Sequence, residues 1–204
     1  MAQKQAEEKQ FQNELFQFES QLNVVIDKSK IVAAKNSVLD WPTDHFTVTQ
    51  LFGKTIDAQR LYSNGTHNGI DLGIPVGTPI KTVLTGTIQA TGNTDLQAGC
   101  YSYGKWVLIK HNNGLSTLYG HMSLIKVVPG QSVTTGDVIG YSGQTGYATG
   151  PHLHLTVYAS QGVDVRQYTS SVGCKQMYIP IADPKAYLDP MQYLPQVLGQ
   201  GATH

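Results

Sequence analysis

Four histidines and one aspartate stand at spacings that could hold a metal ion and move protons. In Gly150-Pro151-His152-Leu153-His154-Leu155 the alternation is that of a β-strand, in which residues two apart share a face. His152 and His154 then point together into one groove, while Leu153 and Leu155 turn to the core. About eighty residues earlier, Thr66-His67-Asn68-Gly69-Ile70-Asp71 puts His67 and Asp71 on one face by the same period. Gly69 lies between them, and its missing side chain leaves room for an ion. Two imidazoles and a carboxylate suit Zn²⁺, and three protein ligands with one open position is the arrangement of a catalytic zinc.

Zinc held by His67, Asp71 and His154 keeps a net positive charge. Bound water then loses a proton more readily, and a substrate carbonyl can be polarised. Hydrolysis also needs groups that carry protons. His152 is one candidate, because it shares the strand face with His154; His121, at the end of the strand-like run Leu118-Tyr119-Gly120-His121-Met122, is the other. His45, His111 and His204 have no such company and are read as ordinary surface or core histidines.

These groups need a scaffold of strands, and composition agrees with one. The chain has 204 residues, 21 Gly and 11 Tyr, and only 14% of residues are charged, a turn-rich balance that favours a β fold. Fourteen Lys and Arg match fourteen Asp and Glu, so no excess charge draws the chain to nucleic acid or anionic lipid. No run of apolar residues is long enough to span a membrane, and the N-terminus lacks the layout of a signal peptide.

Residues 1–40 read as an N-terminal α-helix, running to about residue 36 and closed by the Asn, Ser, Asp and Pro cluster from Asn36 to Pro42. Phe11, Leu15, Phe18, Leu22 and Val25 recur at heptad spacing. The seam fits the end of a coiled coil, or a helix laid on the domain, on a second copy or on a protein partner. Residues 41–196 form the domain proper and 197–204 a tail. Period-two or short apolar runs fall at Phe46 to Phe52, Gly69 to Ile74, Pro79 to Ala90, Trp106 to His111, Ser116 to His121 and Leu153 to Tyr158. Such runs suggest an antiparallel sheet folded on itself in two layers. Asn112-Asn113-Gly114 reads as a hairpin turn, and Val133 to Ser142 as another hairpin turning at Thr135-Gly136-Asp137. Lys54 to Asn64 and Ser160 to Asp183 read as inserted loops at the groove rim. Cys100 and Cys174 fit neither a zinc knuckle nor a redox pair, and lie in polar, Gly-flanked stretches; a disulfide is expected.

Taken together, these segments resemble the LytM and lysostaphin group of zinc metallopeptidases, peptidase family M23. The His-x-x-x-Asp segment is His67 to Asp71, the Tyr-x-His-Met segment is Tyr119 to Met122, and the His-x-His segment is His152 to His154. Gly136, Asp137, Ile139, Gly140, Gly143, Thr145 and Gly146 match a further Gly-rich run between them. The resemblance covers about Thr49 to Leu194. It implies a LytM/lysostaphin-like, duplicated-hybrid-motif-like β domain, zinc on His67, Asp71 and His154, and acid, base and oxyanion roles for His121 and His152. Lysostaphin-like members also use a tyrosine shortly before the first ligand; Tyr62 stands one position off and is left out of the catalytic set.

The expected activity is zinc-dependent hydrolysis of peptide bonds in peptidoglycan stems or cross-bridges, outside the cytoplasm. The alternative is a non-catalytic relative that binds other wall hydrolases through its helix. Five intact polar positions favour the enzyme. A structural zinc would close all four positions with protein ligands, and three are counted here.

Overall fold

The computed structural model describes residues 2–61, 65–97, 100 and 102–196; the tail 197–204 and Tyr62 lie outside the described residues. Helix α1 spans Ala2–Ser20, shorter than the helix to residue 36 expected from the sequence. Beyond it the backbone finds distant partners instead of helical carbonyls. The Val24 N–H donates to the Asp183 carboxylate at 2.9 Å and the Asp27 N–H to the Gln161 side chain at 3.0 Å. No local pattern reports such partners. Phe11 and Leu15 of the seam are buried with Tyr168, Ile179 and Ile181, so the helix lies on its own chain; Phe18 and Val25 are exposed.

Twelve strands follow among the described residues. They are β1 (Thr47–Gln50), β2 (Ile70–Gly73), β3 (Pro79–Lys81), β4 (Gly86–Asn93), β5 (Lys105–His111), β6 (Leu115–Ile125), β7 (Ser132–Val133), β8 (Val138–Ser142), β9 (His152–Ala159), β10 (Val163–Tyr168), β11 (Met177–Ala182) and β12 (Tyr187–Leu188). All but β10 and β11 join one antiparallel sheet in the order β1-β2-β9-β6-β5-β4-β7, with β12 on β9 and β8 linking β3 to β6. Period two sorts the side chains. Ile70, Leu72, Val107, Ile109, Leu153 and Leu155 enter one core cluster, joined by Ile80 of β3 and Ile139 of β8 as the second layer. Trp106, Leu108, Leu118 and Tyr158 enter another cluster on the opposite face. Each fully buried aliphatic side chain contributes about 1.5–3 kcal/mol, so the central strands are pinned in register.

Four expectations change. The turn at Gly136 forms, with φ +90° and an Asp137 N–H to Thr134 carbonyl bond of 2.9 Å, but its arms do not pair with each other. β7 pairs with β4, whereas β8 pairs with β3 and β6, because open sheet edges lie to either side of the turn. Pro79 to Ala90 breaks into two strands at Thr82 to Thr85. The stretch from Ser160 to Asp183 contains the β10–β11 hairpin, paired from Val163 opposite Ala182 to Tyr168 opposite Met177; exposed Asp164, Arg166 and Gln167 gave it the composition of a loop. Within Lys54 to Asn64 runs a short helix, α2 (Ile56–Leu61).

Cys100 and Cys174 form the expected disulfide, with Cα atoms 4.5 Å apart across 74 residues of sequence. Both are fully buried under Phe11 and Leu15 of α1, where the sequence suggested an exposed pair. By loop closure entropy the link contributes about 3 to 4.5 kcal/mol. It ties the hairpin to the segment before β5 and gives α1 a firm floor. No helix among the described residues is long and apolar enough to cross a membrane.

Candidate metal centre

β2 and β9 are neighbours, with Ile70 opposite Leu155, Asp71 opposite His154 and Leu72 opposite Leu153. The apolar residues fill the core, so Asp71 and His154 must emerge side by side on the other face. His67 precedes β2 and is held separately: its backbone makes a two-bond bridge to Gly53, and its Nδ1–H donates to the Leu51 carbonyl at 3.2 Å. Gly69 does not open space for an ion, as the sequence suggested. A Cβ there would lie 2.4 Å from the Leu155 carbonyl oxygen and 2.9 Å from His154 Cε1, so the glycine lets the chain pass close over β9.

His67, Asp71 and His154 are all buried and converge as candidate metal ligands. His67 Nε2 lies 3.2 Å from His154 Nδ1 and 3.4 Å from Asp71 Oδ1, and His154 Nδ1 lies 2.9 Å from Asp71 Oδ1. Ligands at about 2.0–2.2 Å from a tetrahedral zinc stand about 3.3–3.6 Å apart, so these donors are near the separations the ion requires. The hydrogen bonds agree. The Leu51 carbonyl accepts only, which leaves a lone pair on His67 Nε2 facing an Asp71 oxygen that also only accepts. A cation between them satisfies both. His154 Nε2 meets the Thr156 hydroxyl at 2.9 Å, a partner that holds the ring while Nδ1 binds. Burial alone would raise the Asp71 carboxyl, yet the imidazoles of His154 and His67 beside it hold it well below the usual carboxylate range.

The other two histidines share one backbone device. His152 Nδ1–H donates to the Gly150 carbonyl and His121 Nδ1–H to the Thr145 carbonyl, each at 2.8 Å, so in its neutral form each ring keeps its lone pair on Nε2. Their ring centroids are 4.6 Å apart, and His152 Nε2 lies 3.8 Å from Asp71 Oδ1. Burial, then the nearby His152 and His154, lower the His121 imidazole to about 3, so it is neutral at pH 7. His121 adopts φ +60°, rare for a residue with a side chain. It sits where one edge of β6 changes partner, from β9 up to Gly120 to β8 from Met122, and its N–H donates to the Tyr103 carbonyl at 2.7 Å. The local break in pairing aims this ring into the groove.

Thr145 is fixed in turn, its hydroxyl accepting from the Lys105 N–H and donating to the Met122 carbonyl. Gly104 and Gly146 cross here so closely that a Cβ on Gly146 would lie 2.3 Å from the Gly104 nitrogen; both have positive φ. His111 is buried and bonded to the Thr85 carbonyl and the Thr117 hydroxyl, a core histidine that burial lowers to about 4, and His45 is exposed. His204 lies outside the described residues.

Two neighbours were not legible in the sequence. Tyr103 stacks 5.8 Å from the His154 ring, and its hydroxyl accepts from the Asn68 amide at 3.1 Å. Tyr103 comes from an irregular segment and reaches the site only through the β5–β6 pairing. Glu19 of α1 is the other. With Phe16, Tyr103 and Tyr187 it walls a cavity of about 200 Å³ that is also lined by His121 and His154.

Three converging candidate ligands beside two further histidines fit the site of a metal-dependent hydrolase. Residues 65–166, half of the sequence, match the model of peptidase family M23, and the chain belongs to that family. It is 44% identical over 88 residues to the peptidoglycan DD-endopeptidase ShyA of Vibrio cholerae serotype O1, an alignment that covers 43% of this chain and 19% of that protein. The match therefore spans about a fifth of that relative's length. The catalytic domain of the antimicrobial peptidase lysostaphin from Staphylococcus simulans superposes with a TM-score of 0.52 at 26% identity, over 72% of this chain and 90% of that one. A zinc-containing peptidase from Vibrio cholerae superposes with a TM-score of 0.51 at 30% identity, over 63% of this chain and 38% of that one. The His-Asp-His group suits zinc as its cofactor.

Proposed function

We propose that this protein is a zinc-dependent endopeptidase that hydrolyses peptide bonds in peptidoglycan stems or cross-bridges, working outside the cytoplasm. The observation that carries the reading is the convergence of three buried ligands beside two histidines whose Nδ1 protons are committed to backbone carbonyls. Support for the substrate comes from the peptidoglycan endopeptidase among its relatives, and for the location from that substrate and from the disulfide.

His67, Asp71 and His154 would hold the ion. When bound, zinc supplies a Lewis acid that polarises the scissile carbonyl and eases the loss of a proton from water. His152 Nε2 would take that proton and return it to the departing amine. His121 enters neutral because burial lowers its imidazole to about 3. As negative charge grows on the carbonyl oxygen, His121 Nε2 would take a proton from solvent water, donate it as a hydrogen bond to that oxygen, and release it to solvent when the carbonyl re-forms. The Thr145 carbonyl keeps the ring oriented throughout. Digestion of purified peptidoglycans of several stem and bridge types, with the new termini identified by mass spectrometry, tests the reading. New amine and carboxyl termini are expected from one type at least; intact walls of every type would overturn it.

A further inference from the structure

The cavity beside the candidate metal ligands is lined by one carboxyl group, which hydrolysis does not use. Glu19, near the end of α1, is 5% exposed and lines that cavity together with His121 and His154. Its Oε1 accepts two hydrogen bonds, from the Ala182 N–H at 2.9 Å and the Tyr187 hydroxyl at 2.8 Å. Among the described residues no hydrogen bond reaches Oε2, and no Lys or Arg pairs with the carboxylate. The charge it feels most is that of Asp183, of its own sign. A buried carboxylate without a counter-ion is costly.

The fold does not require that cost. A glutamine would offer the same Oε1 to Ala182 and Tyr187 with no charge to bury, so the negative charge on the second oxygen is what needs explaining. The surrounding walls narrow the ligand class. Phe16, Tyr103, Tyr147 and Tyr187 line the same space, aromatic surfaces that cover a methylene stem and attract a cation at its end. At about 30 Å³ per water, the 200 Å³ cavity has room for about six waters, enough for a short alkylammonium chain.

We propose that Glu19 anchors the primary ammonium of an alkylamine side chain on the substrate, as on a diamino acid, with its carbon stem along the aromatic wall and the scissile bond at the adjoining metal centre. The proposal rests on the endopeptidase reading for its substrate. It makes α1 a specificity element built onto the catalytic β domain, secured there by the disulfide and the β10–β11 hairpin. Burial raises the Glu19 carboxyl to about 7, and an ammonium ligand would restore its charge.

The test uses the zinc-loaded full chain and three forms of one wall peptide: unmodified, acetylated on the side-chain amine, and acetylated on the N-terminal amine. Wild type should cleave the unmodified and N-terminally acetylated forms at least tenfold faster, by kcat/KM, than the side-chain-acetylated form. In Glu19→Gln that ratio should fall to near one while zinc content stays the same. Equal cleavage of all three forms by wild type, a preference that follows the terminal amine, or a ratio unchanged in the variant would each overturn the proposal. Binding of n-butylammonium, followed by NMR, separates the subsite from the chemistry. Binding by wild type that Glu19→Gln abolishes upholds the subsite even if no wall peptide is cleaved, an outcome that would remove only the endopeptidase reading. No binding, or equal binding by the variant, would remove the subsite.

Discussion

Asp71 and His154 face each other directly across the antiparallel pair β2–β9, with the Asp71 Oδ1 to His154 Nδ1 distance at 2.9 Å. The register that buries Ile70, Leu72, Leu153 and Leu155 is therefore the register that assembles two of the three candidate metal ligands. Slipping either strand by one residue would send His154 or Asp71 into the core. Core packing and site geometry are one constraint here.

His121 and His152 should separate catalysis from metal binding. His121→Ala and His152→Ala are expected to keep their zinc and to lose activity on wall peptides by roughly 10²- to 10⁴-fold, the range of a lost acid or base. Metal analysis beside the rate assay checks both. Full turnover in either variant would cancel its assigned role, and loss of zinc from His152→Ala would make it a ligand.

Gly69→Ala should weaken the centre without replacing a candidate ligand. The added Cβ would strike the Leu155 carbonyl at 2.4 Å and the His154 ring at 2.9 Å. Zinc affinity is expected to fall roughly 10- to 100-fold, as when a group that orients a ligand is disturbed. Titration against a competing chelator measures it, and unchanged affinity would show that β9 can yield at no cost to the site.

Glu19 gives a pH dependence with a definite sign. In the folded chain its carboxyl is raised from 4.5 to about 7, chiefly by burial, the bonds from Ala182 and Tyr187 only partly offsetting it. The folded state thus keeps the proton that the unfolded chain releases near 4.5, so stability falls as pH rises between these values and levels off beyond them. Relative to Glu19→Gln, the zinc-loaded wild type should lose up to about 3 kcal/mol between pH 4.5 and 8. Urea unfolding of both at several pH values decides it. Parallel curves would mean that Glu19 is ionised at no cost.

What could be read from the sequence depended on the range of the forces involved. The alternation around Leu153, His154 and Leu155 is a local consequence of strand geometry, so the ligand pair and its core backing were legible. His121 was legible as a candidate, but its positive φ and its place at the β6 partner switch come from the pairing of β9 and β8 with one strand edge. Helix α1 stops at Ser20 because Asp183 and Gln161, about 135 to 160 residues away, take up the following backbone. For the same reason Glu19 and Tyr103 escaped notice: each enters the site through the fold and carries no spacing signal. The cysteine pair was expected from composition, yet its burial under Phe11 and Leu15 follows from helix docking that no cysteine pattern encodes.

The central claim is that His67, Asp71 and His154 hold one zinc. Metal analysis of purified wild type, His67→Ala, Asp71→Ala and His154→Ala, with X-ray absorption at the zinc edge of the wild type, tests it most directly. The account predicts one zinc per wild-type chain, bound at about 2.0–2.2 Å by two imidazole nitrogens and one carboxylate oxygen, with metal and activity lost together in each variant. Wild-type protein that is active without zinc, or an Asp71→Ala variant that keeps a full complement of metal and turnover, would contradict it.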